Sequence, residues 1–487
     1  MTSNSRLAKN TLYLTVASIA QKVIAFIYFT MIARFVGVED TGAYFLSLAM
    51  VTVIMVLDDV GITSVVIREV AKKSKDAVVW CRSIIGVKLI TMPITVVIAF
   101  FAPLVFGYDT EVIMLVRIAI VVMLADTLSL SFYGILRGLH TLKYESFGIF
   151  VGQLITATIG ITLMATGLAT LPLLIVALAA GSLWNMLFSF SQIVRRLGWK
   201  AVVPSYKFGW KPLKMAFAFF LAAVFVKIYS YVDSLILAAQ IGNEAVGIYA
   251  VAYKLTYAFQ FLPLAFVAAL YPTMSAHAHH PGKLKKILLD AFWYLMLLGA
   301  PIVFGIWSIA PEIIQAFYGS EFAASALPLQ VLIFVLIFIF LDFPVGSLLN
   351  ATDRQSIKTG IMGVTMVINI VGNLILIPRY GVLGACIAAL ISFVFLFLAG
   401  WFFAKKVVKI NLRDLIEKIW RILAAAVVMA IVVLLVKPYV HFALAIPLGA
   451  ICYIAGIFAL GAVRISHVRE IWNLKNREYV EHSSGDA

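Results

Sequence analysis

The chain has 487 residues, of which 63% are hydrophobic and only 13% carry a formal charge. Soluble domains are about 25% charged, so this composition excludes a soluble globular protein and indicates one that crosses a membrane many times. The net charge of +15 does not indicate nucleic-acid binding here, because the basic residues lie in short segments between long apolar runs.

Fourteen apolar segments are long enough to cross a bilayer, which takes about 20 residues of helix. Six lie at 10–35, 42–60, 82–106, 111–136, 146–166 and 171–194. Six more follow at 213–240, 245–272, 288–310, 323–350, 356–377 and 382–404, and two complete the set at 418–437 and 442–463. The sequence therefore predicts an all-α polytopic membrane protein with 14 transmembrane helices. Pro263 interrupts the eighth segment and predicts a kink there.

The basic residues are distributed unequally between the two ends of these helices. If both chain termini lie on one side, 30 of the 38 lysines and arginines lie there too, and only Arg34, Arg379 and Lys437 lie on the other side. Short loops rich in lysine and arginine stay in the cytoplasm. The asymmetry therefore predicts that both termini are cytoplasmic.

One motif occurs twice, 205 residues apart: G-x-E-x-x-G-x-Y covers residues 37–44 and 242–249. In each copy a glycine ends one predicted helix, and an acidic residue begins the next, where the helix dipole favours an anion. Other segments recur at similar spacing. We therefore predict two six-helix lobes in parallel repeat, residues 1–200 and 201–405, followed by two additional helices and a cytoplasmic tail in residues 406–487. Transporters with such repeats usually bind substrate between the halves.

Five basic residues lie inside the predicted helices, and two of them, Lys22 and Lys227, are again 205 residues apart. A lysine at the bilayer centre costs roughly 2.5–3.5 kcal/mol, so we expect the deep residues Lys22, Lys227 and Lys254 to line a cavity. Lys88 and Arg117 lie nearer to helix ends, and we expect their side chains to extend to the membrane surface, with a substrate contact as the alternative.

Acidic and aromatic residues accompany these charges. Asp126, Asp233 and Asp342 are the acids within the predicted helices, and the alternative to a cavity is that they neutralise lysines, with Asp233 pairing with Lys227. Tyrosines could offer a sugar both a ring face and a hydroxyl, with ordinary helix packing as the alternative. The candidate substrate-binding residues are therefore Lys22, Lys88, Arg117, Lys227, Lys254, Asp233, Tyr28, Tyr229 and Tyr231.

Motifs for catalysis and cofactor binding are absent from the sequence. There is no G-x-x-x-x-G-K-[ST] loop to bind ATP, and the three cysteines are too scattered for a metal site. The run HAHH at 277–280 adjoins a proline in a predicted loop and has no acidic residue nearby as a further ligand. We predict no catalytic residue, no metal and no cofactor, and hence a transport protein rather than an enzyme.

The chain resembles the polysaccharide (O-antigen-type) flippases of the multidrug/oligosaccharidyl-lipid/polysaccharide exporter superfamily. The residues that carry the resemblance are ARFVGVEDTGAYFLSLAM at 33–50, YSYVDSLILAAQIGNEAVGIYAVAYKL at 229–255, YGVLGACIAALISF at 380–393 and the helix exits near 137–144 and 350–355. The resemblance covers residues 1 to about 405, and the last two helices by their number only.

The resemblance implies a flippase of the plasma membrane. Such a protein moves a polyprenyl-(pyro)phosphate-linked oligosaccharide from the cytoplasmic to the outer leaflet by alternating access of two six-helix lobes. Lys22, Lys227 and Lys254 match by placement the cationic positions of related flippases, which often carry arginine. The implied partners are the lipid-linked oligosaccharide, membrane lipids and a polysaccharide polymerase or glycosyltransferases, with no nucleic acid. Since one chain supplies both lobes, a monomer is expected.

Two other functions stay open from the sequence. A cation-coupled multidrug exporter of the same superfamily would need buried acids, and here the three intramembrane aspartates are outnumbered by five basic residues. A membrane glycosyltransferase or ligase would need a catalytic carboxylate or arginine cluster in a sizeable outer loop, whereas the predicted outer loops are only a few residues long. The charge balance favours a carrier of an anionic lipid headgroup.

Overall fold

The computed structural model of the chain describes residues 3–206 and 210–463, with side chains from 19 to 206 and from 214 to 463 apart from Ala269. In these ranges the chain forms helices and no strand, so the all-α prediction is confirmed. The first nine helices are α1 (Ser3–Val36), α2 (Val38–Asp59), α3 (Ile62–Lys72), α4 (Ala77–Val105), α5 (Thr110–Gly138), α6 (Leu142–Ala165), α7 (Leu171–Leu197), α8 (Trp210–Gln240) and α9 (Asn243–Tyr257). The next nine are α10 (Phe261–Ala276), α11 (Pro281–Ser308), α12 (Ala310–Tyr318), α13 (Ala326–Leu332), α14 (Val335–Ala351), α15 (Gln355–Tyr380), α16 (Val382–Val408), α17 (Leu412–Val436) and α18 (Phe442–Ala459).

Fourteen stretches of helix in the described ranges are long and apolar enough to cross a membrane, which confirms the predicted number. Two of the stretches each contain two helices, α9 with α10 and α13 with α14, whereas the short α3 and α12 lie outside the spans. At the kink predicted near Pro263, a 3-10 helix at Ala258–Gln260 separates α9, which ends at Tyr257, from α10, which begins at Phe261. A proline removes one helical hydrogen bond and its ring clashes with the carbonyl four residues earlier.

The helices group into two compact units. The first contains the described residues up to Phe261 together with Ile314–Leu332 and Arg354–Leu396. The second contains Leu262–Ile313, Ile333–Asp353 and the described residues from Phe397 onward. The six-helix lobes at 1–200 and 201–405 rest on the sequence repeat and stay a prediction.

The first unit is built around α2. This helix packs against α5, α8 and α9, while α5 packs against α7, and α6 packs against α1 and α7. All six residues from Thr41 to Leu46 are buried, which is more than one full turn, so α2 serves as a central element against which the neighbouring helices pack.

The repeated motif forms the contact between α2 and α9. Gly37 and Gly242 precede these helices with φ values of 82° and 117°, a conformation that favours glycine. A Cβ atom added to Gly42 would lie 1.8 Å from the carbonyl oxygen of Asn243, and one added to Gly247 would lie 2.0 Å from that of Val38. Since any other side chain would collide with a backbone, glycine at both positions lets the two helices touch.

The second unit is held by packing of α11 against α14 and α17, and of α17 against α18. Ion pairs support this arrangement: Lys418 Nζ lies 2.8 Å from Asp290 Oδ1, and Lys285 Nζ lies 2.7 Å from Asp414 Oδ2. The same Asp414 completes a capping box with Asn411 at the start of α17. These contacts fix the first two turns of α17 on α11.

Candidate functional site

A cavity of about 190 Å³ lies within the first unit, lined by residues of α1, α2, α5, α7, α8 and α9. Its polar lining includes Asp126, Tyr231 and Lys254, and its apolar lining includes Phe29 and Phe45. Lys254 is eleven residues beyond the start of α9, which is about 16 Å at 1.5 Å per residue. The hydrocarbon core is about 30 Å thick, so the cavity reaches roughly to mid-membrane.

The ammonium group of Lys254 is held between aromatic rings. Its Nζ lies 5.2 Å from the ring centre of Phe29 and 5.4 Å from that of Phe45. Among the residues whose side chains the structure describes, no carboxylate oxygen lies within 4.0 Å of it. Cation–π contacts of this kind are worth about 0.5–2 kcal/mol, so they orient the charge without neutralising it. The cavity therefore presents a positive charge to a ligand.

Lys227 lies next to the same group of rings. Its Nζ is 5.6 Å from the ring centre of Tyr231, which lines the cavity and packs against Tyr253 with ring centres 6.0 Å apart. In the described part of the chain Lys227, like Lys254, has no carboxylate oxygen within 4.0 Å. Of the nine sequence candidates, the structure thus brings together Lys227, Tyr231 and Lys254.

The ion pair considered for Lys227 and Asp233 is not formed. Asp233 accepts hydrogen bonds from Tyr249 Oη at 2.7 Å and from Asn373 Nδ2 at 2.6 Å, and its side chain is buried between α8, α9 and α15. The physical reason is helix geometry, because two residues six positions apart lie about 120° apart around an α-helix. Asp233 therefore belongs to a buried polar cluster with Asn373 and Asn369 rather than to the lining of the cavity.

The prediction that Lys88 extends to the membrane surface is wrong. Its side chain is only 1% exposed, and its Nζ lies 2.8 Å from Asp58 Oδ2 and 2.8 Å from Thr127 Oγ1. Asp58 lies in the last turn of α2. The two consecutive aspartates at 58–59 were a signal in the sequence that could have indicated an acidic partner for Lys88. Because its charge is neutralised away from the cavity, the geometry lends no support to a substrate contact by Lys88.

The other two basic candidates lie apart from the cavity lining. Lys22 is exposed on α1. Arg117 is exposed on α5, with its guanidinium carbon 4.1 Å from the ring centre of Phe100. Although the repeat makes Lys22 and Lys227 equivalent, Lys22 is exposed and Lys227 is half-buried. Substrate binding by Lys22 and Arg117 stays a prediction.

The two remaining tyrosines pack against other helices. Tyr28 is buried on α1, where a Cβ atom added to Gly160 of α6 would lie 2.2 Å from its hydroxyl oxygen. Tyr229 is buried beside Phe393 of α16, with ring centres 5.7 Å apart. Their geometry is that of helix packing, which was the alternative for these residues, and a sugar contact stays a prediction.

Sequence reasoning missed Asp126 as a cavity residue. It was considered as a counter-ion for a lysine and as one of the buried acids of an exporter, yet it lines the cavity together with Lys254. The available signal was a carboxylate in the middle of a predicted span. The described residues contain no group of three or more His, Cys, Asp or Glu side chains that could hold a metal ion.

Comparisons with known proteins relate the chain to polysaccharide biosynthesis proteins and to a glycan biosynthesis flippase. Residues 7–278 match the family described as polysaccharide biosynthesis protein, and residues 218–375 match the MatE family. The chain is 23% identical to the probable low-salt glycan biosynthesis flippase Agl15 of Haloferax volcanii, over 80% of this chain and 81% of the relative.

Two solved structures share the fold. The lipid II flippase MurJ in an inward closed conformation superposes with a TM-score of 0.75 at 18% identity, covering 93% of this chain and 100% of that one. An inward-facing multidrug resistance MATE family transporter gives a TM-score of 0.65 at 15% identity, covering 82% and 96%. These similarities concern the course of the helices, because the sequences have diverged too far for individual residues to be equated.

Proposed function

The chain belongs to the polysaccharide biosynthesis protein family, and from this membership we propose that it is a flippase for a lipid-linked oligosaccharide. It carries a polyprenyl-(pyro)phosphate-linked glycan from the cytoplasmic to the outer leaflet of the plasma membrane. The name of the Haloferax relative and the fold shared with the lipid II flippase support this proposal.

One observation carries the proposal: Lys254 places a charge at mid-membrane depth in a cavity where no described carboxylate lies within 4.0 Å of it. An unpaired lysine at this depth costs roughly 2.5–3.5 kcal/mol, so a function is needed to account for it. A phosphate group entering the cavity would neutralise that charge, and lysine acts on phosphate as a point charge. Phe45 and Tyr231 supply ring faces for the attached sugar.

The contact between α2 and α9 supports alternating access. The glycines of this contact, Gly42 and Gly247, lie nearer to the helix starts than the cavity residues Phe45 and Lys254 of the same helices. The contact therefore closes the cavity at the end marked by the repeated motif. If both termini are cytoplasmic, as the basic loops predict, this end faces outward, and release of the substrate requires α2 and α9 to separate.

The proposed assembly is simple. One chain provides both copies of the repeat and hence a complete path, so the protein acts as a monomer. A polysaccharide polymerase or glycosyltransferases that make or consume the lipid-linked glycan would act on the same substrate on either side of the membrane.

The test uses the purified full chain in proteoliposomes that contain a fluorescent polyprenyl-diphosphate glycan. A membrane-impermeant quencher reports the fraction of the lipid in the outer leaflet over time. We expect the protein to move the lipid between leaflets faster than protein-free vesicles do, and faster than vesicles containing an unrelated membrane protein. Equal rates in all three preparations would refute the proposal.

Export of cationic drugs is the second candidate function, favoured by the MatE match over residues 218–375 and by the MATE-like fold. The same proteoliposomes distinguish the two, since a drug exporter would accumulate an organic cation such as ethidium when a sodium or proton gradient drives the exchange. The charge of Lys254 in the cavity opposes binding of a cation, so we expect no such export.

A further inference from the structure

The cavity contains two opposite charges that do not pair. Lys254 enters it from α9 and Asp126 from α5, and in the described part of the chain neither has an oppositely charged side-chain atom within 4.0 Å. An ion pair is the usual solution for two opposite charges inside a membrane protein. Their separation within one cavity means that both groups are available to a ligand.

We propose that Asp126 is the sugar-recognition residue of this cavity. It accepts hydrogen bonds from the hydroxyl or amide groups of the first sugar, while Lys254 binds the adjoining diphosphate. This inference rests on the proposed function, and it assigns to Asp126 the selection of a glycosylated lipid over a bare lipid diphosphate.

The chemistry of the carboxylate supports this assignment. An ionised Asp accepts hydrogen bonds at two oxygens, with about four lone-pair sites, and donates none. Asp126 lines the cavity, so these sites can accept donors from a ligand. Sugar hydroxyl groups are donors, whereas a phosphate brings only acceptors and negative charge.

The two charges together restrict the class of ligand. Asp126 repels a simple anion such as a lipid diphosphate without a sugar, and Lys254 repels a simple cation. A ligand that carries an anionic group next to neutral hydrogen-bond donors satisfies both residues. The first sugar of a diphosphate-linked glycan has this arrangement, and Tyr231 in the same lining offers a ring face for it.

The test is equilibrium binding of two lipids to the purified full chain in nanodiscs. One lipid is a bare polyprenyl diphosphate, and the other is the same lipid carrying one sugar, prepared with glucose, galactose or N-acetylglucosamine. We expect the wild-type protein to bind at least one glycosylated lipid about tenfold more tightly than the bare lipid. Asp126→Asn and Asp126→Ala should reduce this preference to about twofold or less, because Ala removes both acceptor oxygens and Asn keeps a single uncharged one, while bare-lipid binding is retained or strengthened.

Two further variants complete the experiment. Lys254→Gln should weaken binding of both lipids, because both carry the diphosphate. Glu111→Gln removes a carboxylate from the exposed first turn of α5, the same helix as Asp126, and should leave both affinities unchanged. Retained binding of the bare lipid shows that an Asp126 variant is folded.

The outcomes separate this inference from the proposed function. If the Asp126 variants keep the preference for the glycosylated lipid, or lose both lipids equally, the assignment of Asp126 is overturned while the flippase proposal stands. If the wild-type protein prefers none of the three glycosylated lipids, sugar recognition by this cavity is overturned. If the wild-type protein binds neither kind of lipid, the proposed function itself fails.

Discussion

Gly42 of α2 and Gly247 of α9 contact each other's helices in a reciprocal way. Gly42 lies against the carbonyl oxygen of Asn243, and Gly247 lies against that of Val38. Val38 and Asn243 hold the same position in the two copies of the motif, so each copy supplies one glycine and one carbonyl to the other. Close backbone approach of this kind allows weak Cα–H···O contacts and efficient packing between membrane helices.

Alanine at either glycine should destabilise the first unit. The added methyl group collides with a backbone carbonyl, and overpacking of this kind costs about 1–3 kcal/mol. Gly42→Ala and Gly247→Ala should therefore lower the midpoint of thermal unfolding of the protein in detergent, measured by tryptophan fluorescence.

The matched control for these substitutions is Gly360→Ala in α15, where an added Cβ would meet no atom within 4 Å. Alanine is favoured over glycine within a helix by about 1 kcal/mol, so this variant should unfold at the same or a higher temperature. A rise in the midpoint for Gly42→Ala equal to that for Gly360→Ala would show that the contact is absent in solution.

Removal of one partner from the buried Lys88–Asp58 pair should be strongly destabilising. Both side chains are 1% exposed, so Lys88→Met leaves an uncompensated charge, at a cost of about 3–5 kcal/mol. Adding Asp58→Asn should recover most of this loss. Unfolding by SDS in mixed micelles measures the free energies.

The control for the Lys88 prediction is an exposed ion pair in the same unit. Lys72 Nζ lies 2.8 Å from Glu69 Oε1, but the Lys72 side chain is 54% exposed. Lys72→Met should cost less than about 1 kcal/mol. A loss for Lys88→Met as small as that for Lys72→Met would argue against a buried pair.

Asp233 should be coupled energetically to Asn373 and not to Lys227. Hydrogen bonds to a charged group contribute about 1.5–3 kcal/mol, and Asn373 Nδ2 lies 2.6 Å from Asp233 Oδ1. A double-mutant cycle with Asp233→Ala and Asn373→Ala should therefore show a coupling energy above about 0.5 kcal/mol, whereas Asp233→Ala and Lys227→Ala should be additive within that value. Strong coupling in the second cycle would show that Asp233 and Lys227 interact directly, which would contradict the structure.

The sequence was sufficient to predict the number of spans and the presence of charges within them. Apolar length is a local property, so the 14 spans follow from the segments themselves. The repeat was also visible, since its two copies share residue types at one spacing. The contact between the two copies through Gly42 and Gly247 was not predictable, because a sequence motif does not indicate which helix packs against it.

The partners of the intramembrane charges depend on packing and were mostly not predicted. Lys88 meets Asp58, thirty residues earlier on another helix, and Asp233 meets Asn373, 140 residues later. Sequence proximity suggested Lys227 as a partner of Asp233, as the alternative to a cavity, but the two residues face different sides of α8. Lys254 lines a cavity, as its depth within a span suggested, whereas Lys22, predicted on the same ground, is exposed on α1.

The most direct test of the central claim is the rate at which the protein moves a fluorescent polyprenyl-diphosphate glycan between leaflets when Lys254 is changed. Lys254→Gln should reduce the rate at least tenfold, which corresponds to about 1.4 kcal/mol, while Lys254→Arg, which keeps the charge, should retain a rate within about threefold of wild type. If Lys254→Gln moves the lipid as fast as the wild-type protein does, the ammonium group in the cavity does not carry the headgroup, and the account is contradicted.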